Sequence, residues 1–450
     1  MSEIRENKMG TEPVPQLLLS MALPMMFSML VQATYNVVDS IFVSRINEAA
    51  LTAVSMAFPI QNLMIAVATG TGVGINALLS RSLGEKNQKT ADEAANMGVF
   101  LAVMSYILFL IIGLTVPEIF MRAQTPYEDI IAYGVEYTRI VTVFSFGIFG
   151  EIVLERLMQA TGKTFLSMIV QLVGAGINLI FDPILIFGLL GFPAMGVTGA
   201  AIATVGGQIV GMIVGIFLNH FLNTEIRLSV KEIFRPKLQI IARIYSVGVP
   251  SILMASIGSV MTFCMNKILM GFSSTATAVF GIYFKIQSFF FMPMFGINNG
   301  MVPIVAYNYG ARKKQRIMDA VKYAQIYATI ILFFGLVLFE GFPGWVLSLF
   351  NASDHMLEIG VPALRIICTS YVFASYCIVT GSFFQALGNG VYTLIMSAAR
   401  QLLVLVPAAY LLSLSGNLLL VWLAYPLAEI ASVSMCMFLK RRIIREKLTF

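Results

Sequence analysis

Long apolar runs, separated by short polar loops, extend along almost the whole of this 450-residue chain. A helix needs about 20 apolar residues to cross the roughly 30 Å hydrocarbon core of a bilayer. Charged residues make up only 12% of the chain, about half the usual fraction of a soluble domain. Alternating segments of about ten residues, which are typical of membrane barrels, do not occur. The sequence therefore predicts an all-α polytopic membrane protein that lies in a lipid bilayer.

The apolar runs predict twelve transmembrane helices. Their expected bounds are 16–44, 52–80, 93–115, 129–150, 164–187, 196–219, 241–271, 276–305, 319–339, 357–384, 393–413 and 418–440. The polar N-terminus and the length of the first run argue against a cleavable signal peptide.

Positive charge is distributed unequally between the predicted loops. One alternate set of loops, together with both termini, holds almost all lysines and arginines, whereas the other set holds only Arg45 and Arg122. Because cytoplasmic loops are enriched in Lys and Arg, both termini are expected in the cytoplasm. This distribution explains the net charge of +6 without a nucleic-acid partner.

The residues that commonly carry catalysis or bind metals are scarce. The four cysteines lie inside apolar segments and form no CxxC pair, so neither a disulfide framework nor a zinc site is indicated. His220 and His355 lie at a segment end and in a loop, and neither HExxH nor GxSxG occurs. We therefore expect no cofactor and no enzymatic activity.

The two halves of the chain are repeats of each other. Pro24 and Pro250 occupy similar contexts, and 250 − 24 = 226. The same offset pairs Gln61 with Gln287, Gly70 with Gly296, Gly74 with Gly300, Gly84 with Gly310, Pro117 with Pro343, Gln159 with Gln385 and Gly162 with Gly388. Six helices per half give a parallel repeat with a central cleft between two lobes. We predict lobes at 1–220 and 241–450, joined by a cytoplasmic linker at 221–240.

One apolar stretch, 171–188, carries an amide and a carboxylate. Asn178 and Asp182 are four residues apart and so share one face of a helix, and Pro183 is expected to kink that helix. A charge inside the bilayer costs at least about 2.5–3.5 kcal/mol, and intramembrane acids commonly mark ion or proton sites. A structural polar contact between helices is the alternative.

A second polar stripe lies on the first helix, where Gln32, Tyr35, Asn36 and Asp39 recur at spacings of three and four. Such a stripe is typical of a water-filled interior, although Asp39 lies near the helix end and an interfacial acid is the alternative. We expect Asp39, Asp182 and Asn178 to form one cation or proton site. Two carboxylates in a low-dielectric pocket cannot both stay charged at low cost.

The second half carries different charges. Asp39 aligns with Met265 and Asp182 with Ala408, so an acidic cation site is expected only in the first half. The second half carries other charged residues, whose roles the sequence does not assign: Lys267, Lys285, Arg365, Arg400 and Glu429. Candidate cleft-lining residues are Gln61, Lys285, Gln287 and Arg400.

Several motifs together resemble the multidrug and toxic compound extrusion (MATE) family. The similarity covers all twelve predicted segments and is carried by the motifs at 22–24, 72–84, 178–188, 196–204 and 303–310. The resemblance implies two six-helix lobes in a V shape, with export driven by inward flow of H⁺ or Na⁺.

The resemblance also implies roles for particular residues. The MepA-like branch, with its cation site in the first lobe, would place that site at Asp39, Asn178, Asp182 and Thr198, with Na⁺ as one possible occupant. Supporting residues would be Tyr35, Asn36, Tyr137 and Glu155. Thr198 and Thr204 both offer hydroxyls in the small-residue segment 196–204. The acids that the NorM-like branch uses in the seventh and tenth helices are replaced here by Lys267 and Arg365.

These features predict an antiporter that exports amphipathic, often cationic, small molecules by alternating access. We expect a monomer in a bacterial cytoplasmic membrane. A lipid-linked oligosaccharide flippase of the same superfamily is the alternative, because Lys267, Lys285, Arg365 and Arg400 could serve a basic cavity. The sequence does not identify the substrate or choose between H⁺ and Na⁺.

Overall fold

The computed structural model describes residues 6–350 and 352–450, which form helices and loops without any strand. The helices in chain order are α1 Lys8–Thr11, α2 Val14–Ser44, α3 Glu48–Gly84, α4 Gln88–Thr115, α5 Pro117–Arg122, α6 Glu128–Val143, α7 Phe146–Ala160, α8 Thr164–Phe187, α9 Val197–Leu222, α10 Val230–Ile233, α11 Leu238–Met270, α12 Ser274–Gly310, α13 Lys314–Gly341, α14 Pro343–Ser348, α15 Asp354–Cys368, α16 Tyr371–Ala386, α17 Gly390–Ala398, α18 Val406–Ser413, α19 Leu418–Trp422 and α20 Ala424–Lys447. A π-helical segment, Ala399–Leu405, lies between α17 and α18.

The described helices account for the predicted membrane passes. Ten spans are long and apolar enough to cross a bilayer singly, and the pair α15–α16, bent by 49°, supplies another. The helices α6 and α7, interrupted only at Phe144 and Ser145, correspond in chain order to the predicted fourth pass. The predicted all-α fold with twelve transmembrane helices in two lobes is confirmed.

The fourth pass extends further than the sequence predicts. Its second half, α7, continues to Ala160, beyond the expected end at residue 150. The charged residues Glu155 and Arg156 lie in this part, but both are buried in the structure. Hydropathy treats such residues as a helix end, although here they face the protein interior.

The repeat extends to the bounds and caps of the helices. The helices α3 and α12 begin and end 226 residues apart (274 − 48 and 310 − 84), and so do α4 and α13. Asn47 and Ser273, which are also 226 apart, cap α3 and α12 by accepting hydrogen bonds from the third residue beyond. Lys86 and Arg312, again 226 apart, share the left-handed φ of 57°.

The chain folds into two compact units whose limits differ from the two linear halves. Phe27–Gly248 forms one unit, called here the N unit, and the residues up to Met26 join Val249–Phe450 in the other, the C unit. The limits therefore fall inside α2 and α11, close to Pro24 and Pro250. Each unit thus includes a segment that belongs to the other half of the sequence.

Glycines explain why these segments pack where they do. In the C unit, a Cβ at Gly296 would lie 2.6 Å from the Met26 backbone, and one at Gly300 would lie 2.9 Å from the Ala22 backbone. In the N unit, a Cβ at Gly74 would overlap the carbonyl oxygen of Ile244. Glycine permits this close backbone approach between transmembrane helices.

The linker between the halves is attached to the start of α4. The Asn96 amide donates to the Arg227 carbonyl and accepts from the Ser229 amide, both at 2.9 Å. Lys237 forms an ion pair with Glu93 at 2.9 Å, and this hydrogen bond raises the pKa of the lysine above its ordinary value. Since Asn96 is buried, its two bonds hold the linker against the N unit.

We expect Asn96→Leu to release the linker. Each hydrogen bond contributes a net stability of about 0.5–1.5 kcal/mol, so tryptic cleavage within 223–237 should accelerate by roughly tenfold. The matched control is Lys89→Leu on the same helix, because Lys89 is exposed. Equal cleavage rates in the two variants would show that Asn96 does not hold the linker.

Candidate cation site

Two carboxyl groups, from α2 and α8, meet inside the N unit. Asp39 and Asp182 lie within hydrogen-bonding reach of each other. Asp182 is fully buried, and its two oxygens have no hydrogen-bond partner among the described residues; Asp39 Oδ1 is likewise buried and unpartnered. Repulsion and lost hydration would make a doubly ionised pair costly, so the arrangement suits a shared proton or a bound cation.

An amide and a hydroxyl lie beside this pair. Asn178, one turn before Asp182 on α8, donates to Thr204 Oγ1 on α9 at 3.1 Å. The Asn178 Oδ1 atom is buried and has no partner within the described part of the chain. Carboxylate, amide and hydroxyl oxygens are the ligands that hard cations prefer.

Two tyrosines complete the cluster. Tyr35 lies one turn before Asp39 on α2, and Tyr137 lies on α6, where it accepts a 3.0 Å hydrogen bond from Gln61. Both tyrosine hydroxyls are within hydrogen-bonding reach of Thr204. Thr204 therefore links α9 to both tyrosines and to Asn178.

Close packing of α8 against α9 brings these groups together. A Cβ at Gly207 would lie 2.5 Å from the Gly174 carbonyl oxygen and 3.2 Å from the Asn178 Cβ atom. The small side chains of Ala200, Ala201 and Ala203 are buried on the same helix. The small-residue pattern of α9 is thus what lets Thr204 reach Asn178.

Two residues of the predicted site lie outside these hydrogen bonds. Thr198 is only partly buried near the start of α9, and the threonine that bonds Asn178 is Thr204. Asn36 is exposed on α2. The role of Thr198 is implied by the family resemblance and stays a prediction.

Glu155 belongs to a separate buried polar group on α7. Its nearest charged neighbours are Glu151 and Arg156. Glu151 projects between α8 and α9, since a Cβ at Gly174 would lie 2.6 Å from its carboxyl oxygen. Glu151 is not among the site residues that the sequence predicts, although its position four residues before Glu155 places both acids on one helix face.

The electrostatic surroundings of the aspartate pair contain no fixed counter-charge. Within residues 6–350 and 352–450, no ion pair includes Asp39 or Asp182. The same described residues contain no group of three or more His, Cys, Asp or Glu side chains that could hold a metal ion.

The candidate cleft-lining residues have different environments. Gln61 bonds Tyr137 within the cluster, whereas Lys285 is exposed and Gln287 is partly buried on α12. Arg400 forms an ion pair with Glu429 at 2.8 Å in the C unit.

Comparison with known proteins finds similarity over most of the length of this chain. The MatE family model matches residues 24–184 and 250–411. The chain is 26% identical to the multidrug export protein MepA of Staphylococcus haemolyticus, over 93% of this chain and 91% of that protein. It is 23% identical to MepA of Staphylococcus aureus strain MRSA252, over 96% and 95% of the two chains.

Solved structures show the same fold. A crystal structure of MATE in the straight conformation aligns with a TM-score of 0.92 and 25% identity, over 99% of both chains. An outward-facing conformation of a multidrug resistance MATE family transporter of the MOP superfamily aligns with a TM-score of 0.93 and 24% identity over all of both chains. The two segments matched by the family model begin 226 residues apart (250 − 24), at Pro24 and Pro250.

Proposed function

The chain belongs to the MatE family of multidrug and toxic compound extrusion transporters, and we propose that it exports amphipathic, often cationic, compounds in exchange for H⁺ or Na⁺. The observation that carries the proposal is the adjacent, unpaired Asp39 and Asp182 in the N unit. A secondary antiporter needs a group that binds the coupling ion in one state and releases it in another. Two carboxyl groups, one fully and one partly buried, with no fixed counter-charge can act in this way.

Competition between the ion and the drug would provide the coupling. With Asp39 and Asp182 ionised, the N unit attracts a cationic compound. A proton or Na⁺ reduces the negative charge of the pair and weakens that attraction, so each ligand weakens the binding of the other. This reciprocal effect lets the inward ion gradient drive outward movement of the drug by alternating access.

The local structure of α8 supports a change in shape on ion binding. Pro183 lies inside this helix, directly after Asp182, and lacks the N–H that would bond the Leu179 carbonyl. A carbonyl released in this way can serve as a further cation ligand, as in the interrupted helices of other transporters. Ion binding at Asp182 and bending at Pro183 would therefore involve the same turn.

One contact of the second half favours a drug exporter over a lipid-linked sugar flippase. A flippase cavity for pyrophosphate would need accessible positive charge, and the pairing of Arg400 with Glu429 removes one of the four candidate residues, whereas Lys267, Lys285 and Arg365 are exposed. Drug-resistance profiles of cells with and without the protein would separate the two functions. We expect resistance to amphipathic cations to rise when the protein is present, and an unchanged profile would contradict the proposal.

We also propose that both termini are cytoplasmic in a bacterial inner membrane. Single cysteines at Leu189 and Leu414, which are exposed in the loops after α8 and α18, should then react with an impermeant maleimide added to intact cells. A cysteine at Arg235 in the linker should react only after lysis. The native chain, with four free cysteines, is the background control. The reverse labelling pattern would overturn this orientation.

A further inference from the structure

The eleventh pass contains a π-helical segment with a charged residue in it. Ala399–Leu405 is π-helical and is followed at once by α18, in which Pro407 is the second residue. Proline lacks an N–H, and its ring clashes with the carbonyl four residues earlier, so the wider π turn accommodates it. The π segment carries Arg400, and such segments frequently occur at functional sites.

Arg400 is held by an acid on the twelfth pass. Its Nη1 atom lies 2.8 Å from Glu429 Oε1 on α20. Glu429 is only 8% exposed, and its other oxygen, Oε2, is buried without a partner in the described part of the chain. A buried carboxylate inside a membrane needs a positive partner or a proton, and here the protein supplies the positive charge itself.

This pair joins the repeat counterparts of α8 and α9, although Arg400 aligns with Gly174 (400 − 226), two turns before the residue that aligns with Asp182. The helix α8 (164–187) corresponds to 390–413 at the offset of 226. In the N unit, Asn178 and Thr204 join the fifth and sixth passes; in the C unit, Arg400 and Glu429 join the eleventh and twelfth. Thr204 corresponds to residue 430 (204 + 226), the immediate neighbour of Glu429.

Further oxygen atoms lie on the same face of α20. Tyr425 is four residues before Glu429 and Ser432 is three residues after it, so all three share one helix face. The Tyr425 hydroxyl is buried and has no partner among the described residues, and Ser432 Oγ is buried within reach of the Cys377 and Cys436 thiols. A carboxylate flanked by two hydroxyls is a donor set suited to a small cation.

We propose that Arg400 is a built-in cation filling a second monovalent cation site, centred on Glu429, between the C-unit helices that correspond to α8 and α9. The guanidinium remains charged at all physiological pH values. The C-unit site is therefore permanently occupied, and ion exchange is confined to the N unit. Removing the arginine charge should uncover a site for H⁺ or Na⁺ at Glu429.

The test uses the full-length protein with the N-unit site silenced by Asp39→Asn and Asp182→Asn. In this background we expect melting to be insensitive to Na⁺, and its pH profile, to which the buried acids Glu151 and Glu155 contribute, is the reference for the later variants. The titratable side chains that face Glu429 are Tyr283 on α12, Cys377 on α16 and Cys436 on α20. Adding Arg400→Gln should lower the melting temperature in choline chloride. Na⁺ or acid pH should then raise it again by on the order of 3 °C.

Two further variants test whether the cation dependence requires Glu429 and the loss of the positive charge at position 400. Combining Arg400→Gln with Glu429→Gln should abolish the cation dependence, whereas Arg400→Lys should never show it. Persistence of the dependence without Glu429, or its absence with Glu429 present, would overturn the proposal. Because the N-unit site is silenced, either result leaves the proposed coupling at Asp39 and Asp182 unaffected.

If Arg400→Gln does not fold, the proposal can be tested with a titratable residue in place of Arg400. Arg400→His, purified at acid pH, keeps a positive charge beside Glu429 and loses it as the pH rises through about 6.5. Relative to the silenced parent, its melting temperature should therefore fall between pH 5 and pH 8. A histidine variant whose pH profile matches that of the silenced parent would contradict a built-in cation at this position.

Discussion

Asp182→Asn is expected to abolish efflux driven by an imposed ΔpH or Na⁺ gradient in proteoliposomes. The amide keeps the shape of the side chain but can neither bind a proton near neutral pH nor neutralise a cation. Since Asp182 is fully buried against Asp39, the substitution removes the charge without exposing the site. The variant should still insert into the membrane and melt at or above the temperature of the native protein.

The partner aspartate and a distant acid provide the controls. Asp39→Asn should reproduce the loss, and the double variant should be no worse than either single one, because the two carboxyl groups act as a unit. Asp129→Asn, an exposed acid in the first turn of α6, should transport normally. Gradient-driven efflux at native rates in both single site variants would place the coupling site elsewhere, with Glu155 or Glu151 examined next.

Gly207→Ala should strongly impair both stability and transport. The new Cβ atom would lie 2.5 Å from the Gly174 carbonyl oxygen, which is backbone and cannot rotate away. Overpacking of this kind costs about 1–3 kcal/mol, and relief requires α8 and α9 to separate. Separation would lengthen the 3.1 Å bond between Asn178 and Thr204, so we expect lower melting temperatures together with weaker efflux.

The preceding residue gives a matched control. A Cβ at Gly206 would meet nothing within 4 Å, so Gly206→Ala should keep full transport. It should also stabilise the helix slightly, because alanine favours helix over glycine by up to about 1 kcal/mol. If the two alanine variants melted and transported alike, the close contact of α8 with α9 would not be what positions Asn178 and Thr204.

The repeat and the residues of the aspartate pair were accessible from sequence for simple physical reasons. Polar residues within apolar helices are rare, so Asp39 and Asp182 are conspicuous. Their helical spacing to Tyr35 and Asn178 identifies the faces that carry them. The offset of 226 is visible because glycines and prolines mark backbone geometry, and the helix bounds in the structure repeat it.

Other features depend on tertiary packing and could not be read from the pattern. The choice of Thr204 over Thr198 depends on how α9 rotates against α8, which Gly174 and Gly207 decide by backbone contact. The limits of the compact units fall inside α2 and α11, because their first turns pack through glycines against helices far away in sequence.

Charged residues also lead to wrong helix bounds. The sequence places the end of the fourth pass too early, because Glu155 and Arg156 are typical of residues at the membrane surface, whereas in the structure both are buried. The π segment around Arg400 likewise has no periodic signature, because its extra residue per turn breaks the pattern used to find it.

The most direct test of competition between ion and drug is equilibrium binding of a fluorescent amphipathic cation to the purified protein. The affinity is measured in choline chloride over a series of pH values, and again over a series of Na⁺ concentrations. For the native protein we expect affinity to fall as H⁺ or Na⁺ rises, and for Asp182→Asn we expect it to stay constant. Affinity in the native protein that is independent of both ions, or an ion dependence that persists in Asp182→Asn, would contradict coupling at this site.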